Sequence, residues 1–207
     1  LHECVDQLGC YAPVTKFSAR VTEVEAIVPT LCSAIAAITS GRPRPAAIDI
    51  PCDILDAEGI PGDTVPEDVA GSGSDDGAIH RVAEVLDSAQ RPLIWAGGGV
   101  VRSGGFAALA RLAERLDAPV FSTVLGKGAL PADHPLSAGE GLLHPSASDM
   151  RADCDVLLAV GTGFGQLETV SWQLPMPPVL IQVDVDPAMI GLNYPVQDSI
   201  VGDAGTV

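Results

Sequence analysis

The sequence predicts an α/β fold dominated by a doubly wound, mostly parallel sheet. Four segments in its C-terminal part are continuous apolar runs, as in strands that are buried on both faces. Segments with helical periodicity separate these runs, which indicates parallel strands joined by crossover connections. Glycine or polar residues follow each run, as they do where Rossmann-like sheets bind ligands at the carboxyl ends of their strands.

The first zone, residues 1–55, is predicted to be a partial α/β segment. Its helix is the stretch VPTLCSAIAAITSG, which has Pro29 near its start and Gly41 just past its end. The strand that follows runs from Ala46 to Pro51. The helical spacing places four residues on one face, which we expect to be buried: Leu31, Ala34, Ile35 and Ile38.

Residues 56–77 are predicted to be a linker. Glycine, proline, aspartate and serine dominate this stretch, and no apolar periodicity runs through it. The chain begins at Leu1 rather than at a methionine, in the middle of LHECVDQLG. We therefore expect it to be a segment of a longer protein.

The third zone, residues 78–207, is predicted to hold the large sheet. Its first helix has an apolar stripe of Ile79, Val82, Ala83 and Leu86, with Asp75 or Asp76 as its cap. Its second helix, FAALARLAERL, places Phe106, Leu109, Ala110, Ala113 and Leu116 on one face. A short third helix is expected near residues 146–151. The four predicted strands are PLIWA, APVFST, DVLLAVG and PVLIQVDVD.

The composition excludes several classes of partner. The net charge is −16, and the 11 lysines and arginines form no basic cluster, so we expect neither a nucleic-acid nor an anionic-membrane partner. No run of about 18 apolar residues is present, which argues against a membrane span. The five cysteines have no zinc or C-x-x-C spacing and are expected to be reduced thiols of a cytoplasmic protein.

The stretch LIWAGGGVVRSGG, residues 93–105, joins a predicted strand to a helix through three glycines. The dinucleotide motif G-x-G-x-x-G fails there, because Arg102 occupies its third glycine position. The motif also needs an acidic residue about 20 positions further on, and Asp117, which has that spacing, lies at a helix end rather than at a strand end. Three interpretations stay open: a nicotinamide dinucleotide site, a turn that approaches another ligand, and a purely structural turn. Asp184, at a later strand end, is either a ribose or adenine ligand or a helix cap ahead of Pro187.

Motifs for other chemistry are missing from the sequence. The GKG at Gly126 is not a P-loop, since Phe121 stands where the first glycine belongs, and there is no G-x-S-x-G. The four histidines have no metal-ligand spacing. Taken by themselves, the residues predict a nucleotide-fold domain without catalytic residues.

Several longer stretches together resemble the thiamine-diphosphate (ThDP) enzymes, in the acetolactate synthase branch. HECVDQLGCYAPVTKFSARV and VPTLCSAIAAITSGRPRPAAIDIPCDIL are similar to the end of that family's pyrimidine-binding domain. RPLIWAGGGVVRSGG, LDAPVFSTVLGKGALPADHPLSAGEG, CDVLLAVGTGFG and IQVDVDPAMIGLNYPVQDSIVGDA resemble its central domain. The resemblance covers nearly the whole chain and implies a parent enzyme that is a 2-oxo acid decarboxylase or carboligase, a lyase or transferase.

The resemblance also implies where the parent's chemistry lies. ThDP and Mg²⁺ would be held by a glutamate upstream of Leu1 and by a G-D-G motif with an asparagine beyond Val207, so this chain would contain no catalytic or metal-binding residue and would be inactive alone. The parent would be a homo-oligomer, a dimer or tetramer, acting on a small 2-oxo acid. The alternative is a stand-alone adenine-nucleotide-binding or oligomerisation module without catalysis.

In flavin-binding relatives the cofactor lies across the strand ends of the central domain. The resemblance implies that its contacts here are Gly97, Gly98, Gly99, Thr123, Val124, Asp184 and Val185. Gly163 stands where those relatives have an arginine for the pyrophosphate, so FAD, ADP and an empty, structural domain all stay open. His2 and Lys16 match positions at the rim of the active site, or are solvated loop residues.

Overall fold

The protein is described by a computed structural model that covers residues 3–60, 75–141 and 147–207. The chain divides into two compact units, residues 1–71 and 72–207. The division falls within the segment, residues 56–77, whose composition predicts a linker. Each unit has its own parallel sheet.

The first unit is a small α/β segment. Its elements in chain order are α1 (Gln7–Tyr11), β1 (Phe17–Arg20), α2 (Ile27–Thr39), β2 (Ala46–Asp49) and α3 (Cys52–Leu55). The strands β1 and β2 pair in parallel, with Phe17 opposite Ala46 and Arg20 opposite Asp49. The predicted helix and strand of this zone are therefore confirmed.

The expected buried face of α2 is only partly correct. Ala34 is buried, but Leu31 is 43% exposed and Ile35 46% exposed. A sheet of two strands is narrower than the apolar stripe of a 13-residue helix, so part of that stripe lies at the surface.

The second unit is built on six parallel strands. Its elements are α4 (Asp76–Ser88), β3 (Pro92–Ala96), α5 (Gly98–Ser103), α6 (Phe106–Leu116), β4 (Val120–Ser122), β5 (Ser137–Glu140), α7 (Ser148–Asp153), β6 (Val156–Val160), β7 (Val179–Asp184) and β8 (Asp198–Val201). The sheet order is β5-β4-β3-β6-β7-β8, which is the doubly wound 3-2-1-4-5-6 order of dinucleotide-binding sheets.

Two of these strands, β5 and β8, are absent from the four that the sequence predicts. Both are edge strands with SAGE and DSIV as their sequences, and most of their residues are only partly buried or exposed. An edge strand needs no continuous apolar run, because part of its surface faces solvent, so the sequence pattern gives no signal for it.

The four central strands are buried on both faces, as their apolar runs predict. Ile94, Leu158 and Ile181 point to the face that α4, α5 and α6 cover. Trp95, Leu157 and Leu180 point to the opposite face, where Phe164, Leu174 and Tyr194 pack on them. That second face is thus covered largely by irregular chain rather than by long helices.

The predicted cap of α4 and the predicted apolar stripes of α4 and α6 are only partly correct. Asp75, not Asp76, caps α4, and its Oδ1 accepts a hydrogen bond of 2.9 Å from Gly77 N. Ala83 of the predicted stripe is exposed. Phe106 is 42% exposed because it is the first residue of α6, whereas Leu109 and Ala113 one and two turns later are buried.

Candidate functional site

The switch point of the large sheet lies between β3 and β6, the neighbouring strands from which the chain winds in opposite directions. Ligands of open α/β sheets bind in the crevice outside the carboxyl ends of such strands. The predicted three-glycine turn after β3 is shorter than expected, because only Gly97 lies between β3 and α5, and Gly98 and Gly99 are the first residues of that helix. The start of α5 meets the turn at residues 161–163 that follows β6, since Gly99 N donates a 3.0 Å hydrogen bond to Gly161 O.

The glycines at the start of α5 and in the turn after β6 have no room for a side chain. A Cβ added to Gly99 would lie 2.6 Å from Gly161 Cα, and one added to Gly161 would lie 2.6 Å from Gly99 Cα. A Cβ on Gly97 would lie 2.7 Å from Thr162 Cβ, and one on Gly98 would lie 3.0 Å from Leu125 Cβ. This geometry supports the structural interpretation of the glycine turn, while its role as a cofactor contact stays a prediction.

Thr123 anchors the loop that follows β4. Its side chain is buried, its N–H donates to Ala96 O at 2.9 Å, and its hydroxyl accepts from Gly126 N at 2.9 Å. The next residue, Val124, opens the 3₁₀ turn Val124–Gly126 and is 64% exposed. The two predicted contact residues of this loop therefore differ in role, because Thr123 fixes the turn and Val124 faces outward.

A cavity of about 210 Å³ lies over the ends of β3, β4 and β5. It combines two carboxylates, two hydroxyls and an apolar wall. Its lining residues are Trp95, Ser122, Thr123, Val124, Glu140, Gly141, Leu167 and Glu168. Of the predicted contacts, only Thr123 and Val124 belong to this lining.

Glu168 is one of the six cavity residues that sequence reasoning missed. Its carboxylate is partly buried, and this desolvation raises its pKa, against the lowering effect of hydrogen bonds with Val124 N–H, the Thr123 hydroxyl and Gly165 N–H. Position was the only available signal, because Glu168 lies in the segment that leaves β6, and the ends of parallel strands meet at one edge.

The segment that carries Glu168 contains a left-handed turn of three consecutive non-glycine residues. Val170, Ser171 and Trp172 have φ angles of 50°, 55° and 60°. Each such residue costs roughly 1–2 kcal/mol relative to right-handed geometry. The fully buried Thr169 stabilises the turn, since its hydroxyl donates to Gly165 O at 2.9 Å and accepts from Trp172 N at 3.1 Å.

Asp184 ends β7 and is 6% exposed. Its Oδ1 accepts a 3.0 Å hydrogen bond from Asp186 N, so part of its hydrogen-bonding capacity serves the local turn. The cap ahead of Pro187 is Asp186, whose Oδ1 accepts from Ala188 N at 3.0 Å, and the prediction of Asp184 as that cap is wrong. Val185, the other predicted contact here, is partly buried.

Gln182 links these loops and was also missed by sequence reasoning. Its side chain is fully buried in β7. The Nε2 donates to Thr162 O at 3.3 Å and to Met189 O at 3.2 Å, and the Oε1 accepts from Gly191 N at 3.0 Å. One polar side chain thereby ties the loop after β6 to the loop after β7.

The two predicted rim residues belong to the first unit. Lys16 is exposed, and its Nζ donates to Ser40 O at 2.5 Å and to Ser40 Oγ at 3.2 Å, at the C-terminal end of α2. This contact gives Lys16 a local structural role. His2 lies outside the described residues.

Two observations on the described residues concern metal and dinucleotide binding. Among residues 3–60, 75–141 and 147–207, no three His, Cys, Asp or Glu side chains are placed to hold a metal ion such as Mg²⁺. A dinucleotide pyrophosphate would find no cationic side chain at Gly163. No helix in the described ranges is long and apolar enough to cross a membrane.

Three relatives are similar to this chain along nearly its whole length. The chain is 39% identical to a probable 2-ketoarginine decarboxylase, AruI, of Pseudomonas aeruginosa, over 99% of this chain and 36% of that protein. It is 37% identical to a probable acetolactate synthase large subunit of Methanocaldococcus jannaschii, over 98% and 36%. It is 32% identical to the acetolactate synthase isozyme 3 large subunit of Escherichia coli, over 99% and 37%.

A solved structure and a family description agree with these relatives. The X-ray structure of a protein from Mycobacterium smegmatis, described as a thiamin diphosphate-dependent enzyme, matches 98% of this chain and 40% of its own, at 26% identity and a TM-score of 0.80. The chain spans little more than a third of the length of the decarboxylase and the synthase named above. Residues 79–207 match the family described as "Thiamine pyrophosphate enzyme, central domain". The chain belongs to the thiamine pyrophosphate enzymes, and its second unit carries their central domain.

Proposed function

We propose that this chain is part of a ThDP-dependent 2-oxo acid decarboxylase or carboligase. The observation that carries the proposal is the similarity along nearly the whole chain to enzymes named acetolactate synthase and 2-ketoarginine decarboxylase. Both names describe 2-oxo acid chemistry. No observation favours a stand-alone nucleotide-binding or oligomerisation module, and we do not propose one.

In this proposal the first unit is the end of the pyrimidine-binding domain, residues 56–77 are the linker, and residues 78–207 are the central domain. ThDP, when bound, would supply the carbanion stabilisation that decarboxylation requires. By resemblance to the family, we place the diphosphate and Mg²⁺ outside this segment and expect the 207-residue chain alone to be inactive.

The test uses the complete reading frame that contains this sequence. We expect its product to release CO₂ from a 2-oxo acid only when ThDP and Mg²⁺ are present, with pyruvate, 2-oxohexanoate and 5-guanidino-2-oxopentanoate as substrates. The 207-residue chain is the control and should neither release CO₂ nor bind ThDP in calorimetry. ThDP-independent release, or none from any of these acids, would contradict the proposal.

We further propose that the whole enzyme is a cytoplasmic homo-oligomer, a dimer or tetramer, without bound flavin. The glycine at position 163, where flavin-binding relatives have an arginine, supports the last point. The purified full-length protein should elute as a dimer or tetramer in gel filtration with light scattering. A flavin absorption band in that sample, or a monomeric mass, would show the corresponding part to be wrong.

A further inference from the structure

Two cysteines of the first unit lie side by side at the protein surface. We propose that Cys4 and Cys10 form a redox-active pair, which closes to a reversible disulfide by exchange with a low-molecular-weight disulfide. The inference goes beyond the proposed function. Its test uses neither ThDP nor a 2-oxo acid, so a failure of the proposed function would leave the result unaffected.

The sulfur atoms of the pair are already in contact. Cys4 Sγ and Cys10 Sγ lie 3.9 Å apart, although the two residues are six positions apart in sequence and no C-x-x-C motif marks them. A disulfide bond is about 2 Å long, so closure requires the sulfurs to approach each other by roughly another 2 Å. The fold thus places together two thiols that the spacing of the cysteines does not single out.

The local backbone allows this approach. Cys10 lies in α1, whose start is capped by Asp6, with the Asp6 Oδ1 accepting a 2.8 Å hydrogen bond from Gly9 N. Cys4 precedes this cap, in chain without regular secondary structure. Movement of Cys4 can therefore close the remaining distance while α1 keeps its own hydrogen bonds.

Both thiols of the pair are open to a dissolved reagent. Cys4 and Cys10 are exposed, and α1 buries none of its residues. Cys154 is the opposite case, because it is buried and desolvation raises its pKa to about 11. Thiolates rather than thiols attack disulfides, so we expect Cys154 to stay unreactive at neutral pH.

The charges of the pair set the order of reaction. The pKa of the Cys10 thiol is raised, first by its hydrogen bond with Cys4 and then by the negative charge that Cys4 carries as a thiolate. Cys10 therefore keeps its proton while Cys4 is ionised. Once the Cys4 sulfur is bound in a mixed disulfide, that charge is gone, and Cys10 can ionise and attack in turn.

The oxidation takes two exchange steps. The Cys4 thiolate attacks one sulfur of the small disulfide, a new sulfur–sulfur bond forms, and the other half leaves as a thiolate. Cys10 then gives its proton to water, its sulfur attacks Cys4 Sγ, and the second half leaves with the electron pair. Two protein thiols are oxidised and one small disulfide is reduced to two thiols. An excess of small thiol reverses both steps, as in other transient disulfides of reducing compartments.

Mass spectrometry of one tryptic peptide tests the proposal. Residues 1–16 end at Lys16, contain no other lysine or arginine, and carry both cysteines of the pair and no third one. The folded 207-residue chain is equilibrated with reduced and oxidised glutathione, and free thiols are then alkylated with iodoacetamide. We expect this peptide to be lighter than its reduced form by two hydrogen atoms, to carry neither alkyl group nor glutathione, and to become reduced again with dithiothreitol.

Cys52, which is also exposed, is the reference within the same chain. At a fixed millimolar concentration of reduced glutathione, closure of the pair should need at least tenfold less oxidised glutathione than half-modification of Cys52, because the second exchange step occurs within one molecule. A peptide 1–16 that is alkylated at both cysteines, or that keeps glutathione as its final product, would overturn the proposal.

Two variants distinguish closure from simple attachment of glutathione. In Cys4→Ser and in Cys10→Ser the remaining thiol should accumulate the mixed disulfide with glutathione, since no second thiol displaces it. Both positions are exposed, so the variants should stay folded, which circular dichroism checks. Equal accumulation of the mixed disulfide in the unaltered chain would contradict the pairing.

Unfolding in urea distinguishes the contact in the fold from nearness in sequence. In the unfolded chain the two sulfurs meet in only a fraction of the conformations, so half closure should need at least fivefold more oxidised glutathione than in the folded chain. Equal closure under both conditions would overturn the proposal that the fold builds the pair.

Discussion

At the scale of single residues, Gly99 and Gly161 are needed because the start of α5 and the turn after β6 touch through their backbones. No side chain fits between them, since an added Cβ on either residue would lie 2.6 Å from the other Cα. The contact lies at the switch point of the sheet, so its loss would disturb both the start of α5 and the turn after β6.

We expect Gly99→Ala to lower the free energy of unfolding by about 1–3 kcal/mol, as overpacking does in a close-packed interior. Urea unfolding measures the change. Gly165→Ala is the matched control, because its added Cβ would lie 3.5 Å from Glu168 Oε2, an ordinary contact, and should shift stability by no more than about 0.5 kcal/mol. Equal effects of the two substitutions would show that the backbone contact is not what requires Gly99.

Replacement of Glu168 should instead stabilise the folded protein, by an amount that depends on pH. Burial raises its pKa in the folded state, so at neutral pH the folded protein carries a carboxylate whose charge opposes folding. Glu168→Gln should therefore raise the melting temperature at pH 7. The gain should shrink as pH falls through the folded-state pKa and vanish below the ordinary pKa of a glutamate, where both states are protonated.

Thermal unfolding of both proteins across this pH range is the measurement. Glu84→Gln on α4 serves as the control, because substitution of this exposed side chain should change stability by no more than about 0.5 kcal/mol. A stability gain that grows toward acidic pH would contradict a raised pKa of Glu168 in the folded protein.

At the scale of elements, the loop after β6 is shaped by its left-handed turn. Val170, Ser171 and Trp172 keep positive φ angles although none is a glycine. The Trp172 indole N–H, which donates to Phe164 O at 3.0 Å, and the buried Thr169 hydroxyl stabilise this geometry. Such strain is common beside ligand sites, and this turn directly follows Glu168.

We expect Ser171→Gly to stabilise the protein by about 0.5–1 kcal/mol, since glycine adopts positive φ without steric cost. The exposed Ser171 loses little packing in the exchange. Ser148→Gly, at the first residue of α7, is the control and should destabilise or leave stability unchanged. A loss of stability in Ser171→Gly would show that the turn is not under strain.

At the scale of the whole molecule, the second unit holds both of the larger cores. All buried residues of the two hydrophobic clusters lie between Ala78 and Ile200. Residues 75–207 expressed alone, with the Asp75 cap retained, should therefore unfold cooperatively and keep the near-ultraviolet signal of their two tryptophans.

Denaturant unfolding of this segment, compared with the 207-residue chain, is the measurement. The midpoint should lie close to that of the main transition of the longer chain. A segment without a cooperative transition would contradict the independence of the second unit.

The sequence by itself determined the α/β class, the four central strands, the main helices and the family. Continuous apolar runs reveal strands that are buried on both faces, because each residue of such a strand contacts the core. Local spacing also sufficed to show that the dinucleotide motif fails at Arg102, and the structure places Asp117 at the end of α6, as the sequence predicts.

The tertiary structure alone decided the sheet order, the edge strands β5 and β8, and the exposure of Leu31, Ile35 and Phe106. It also placed Glu168 beside Thr123 and Trp95 in one cavity, although 73 residues of sequence separate Trp95 from Glu168. These features depend on which segment lies next to which across the sheet. Local periodicity contains no information about such neighbours, so the cavity and its carboxylate appear only when the chain is folded.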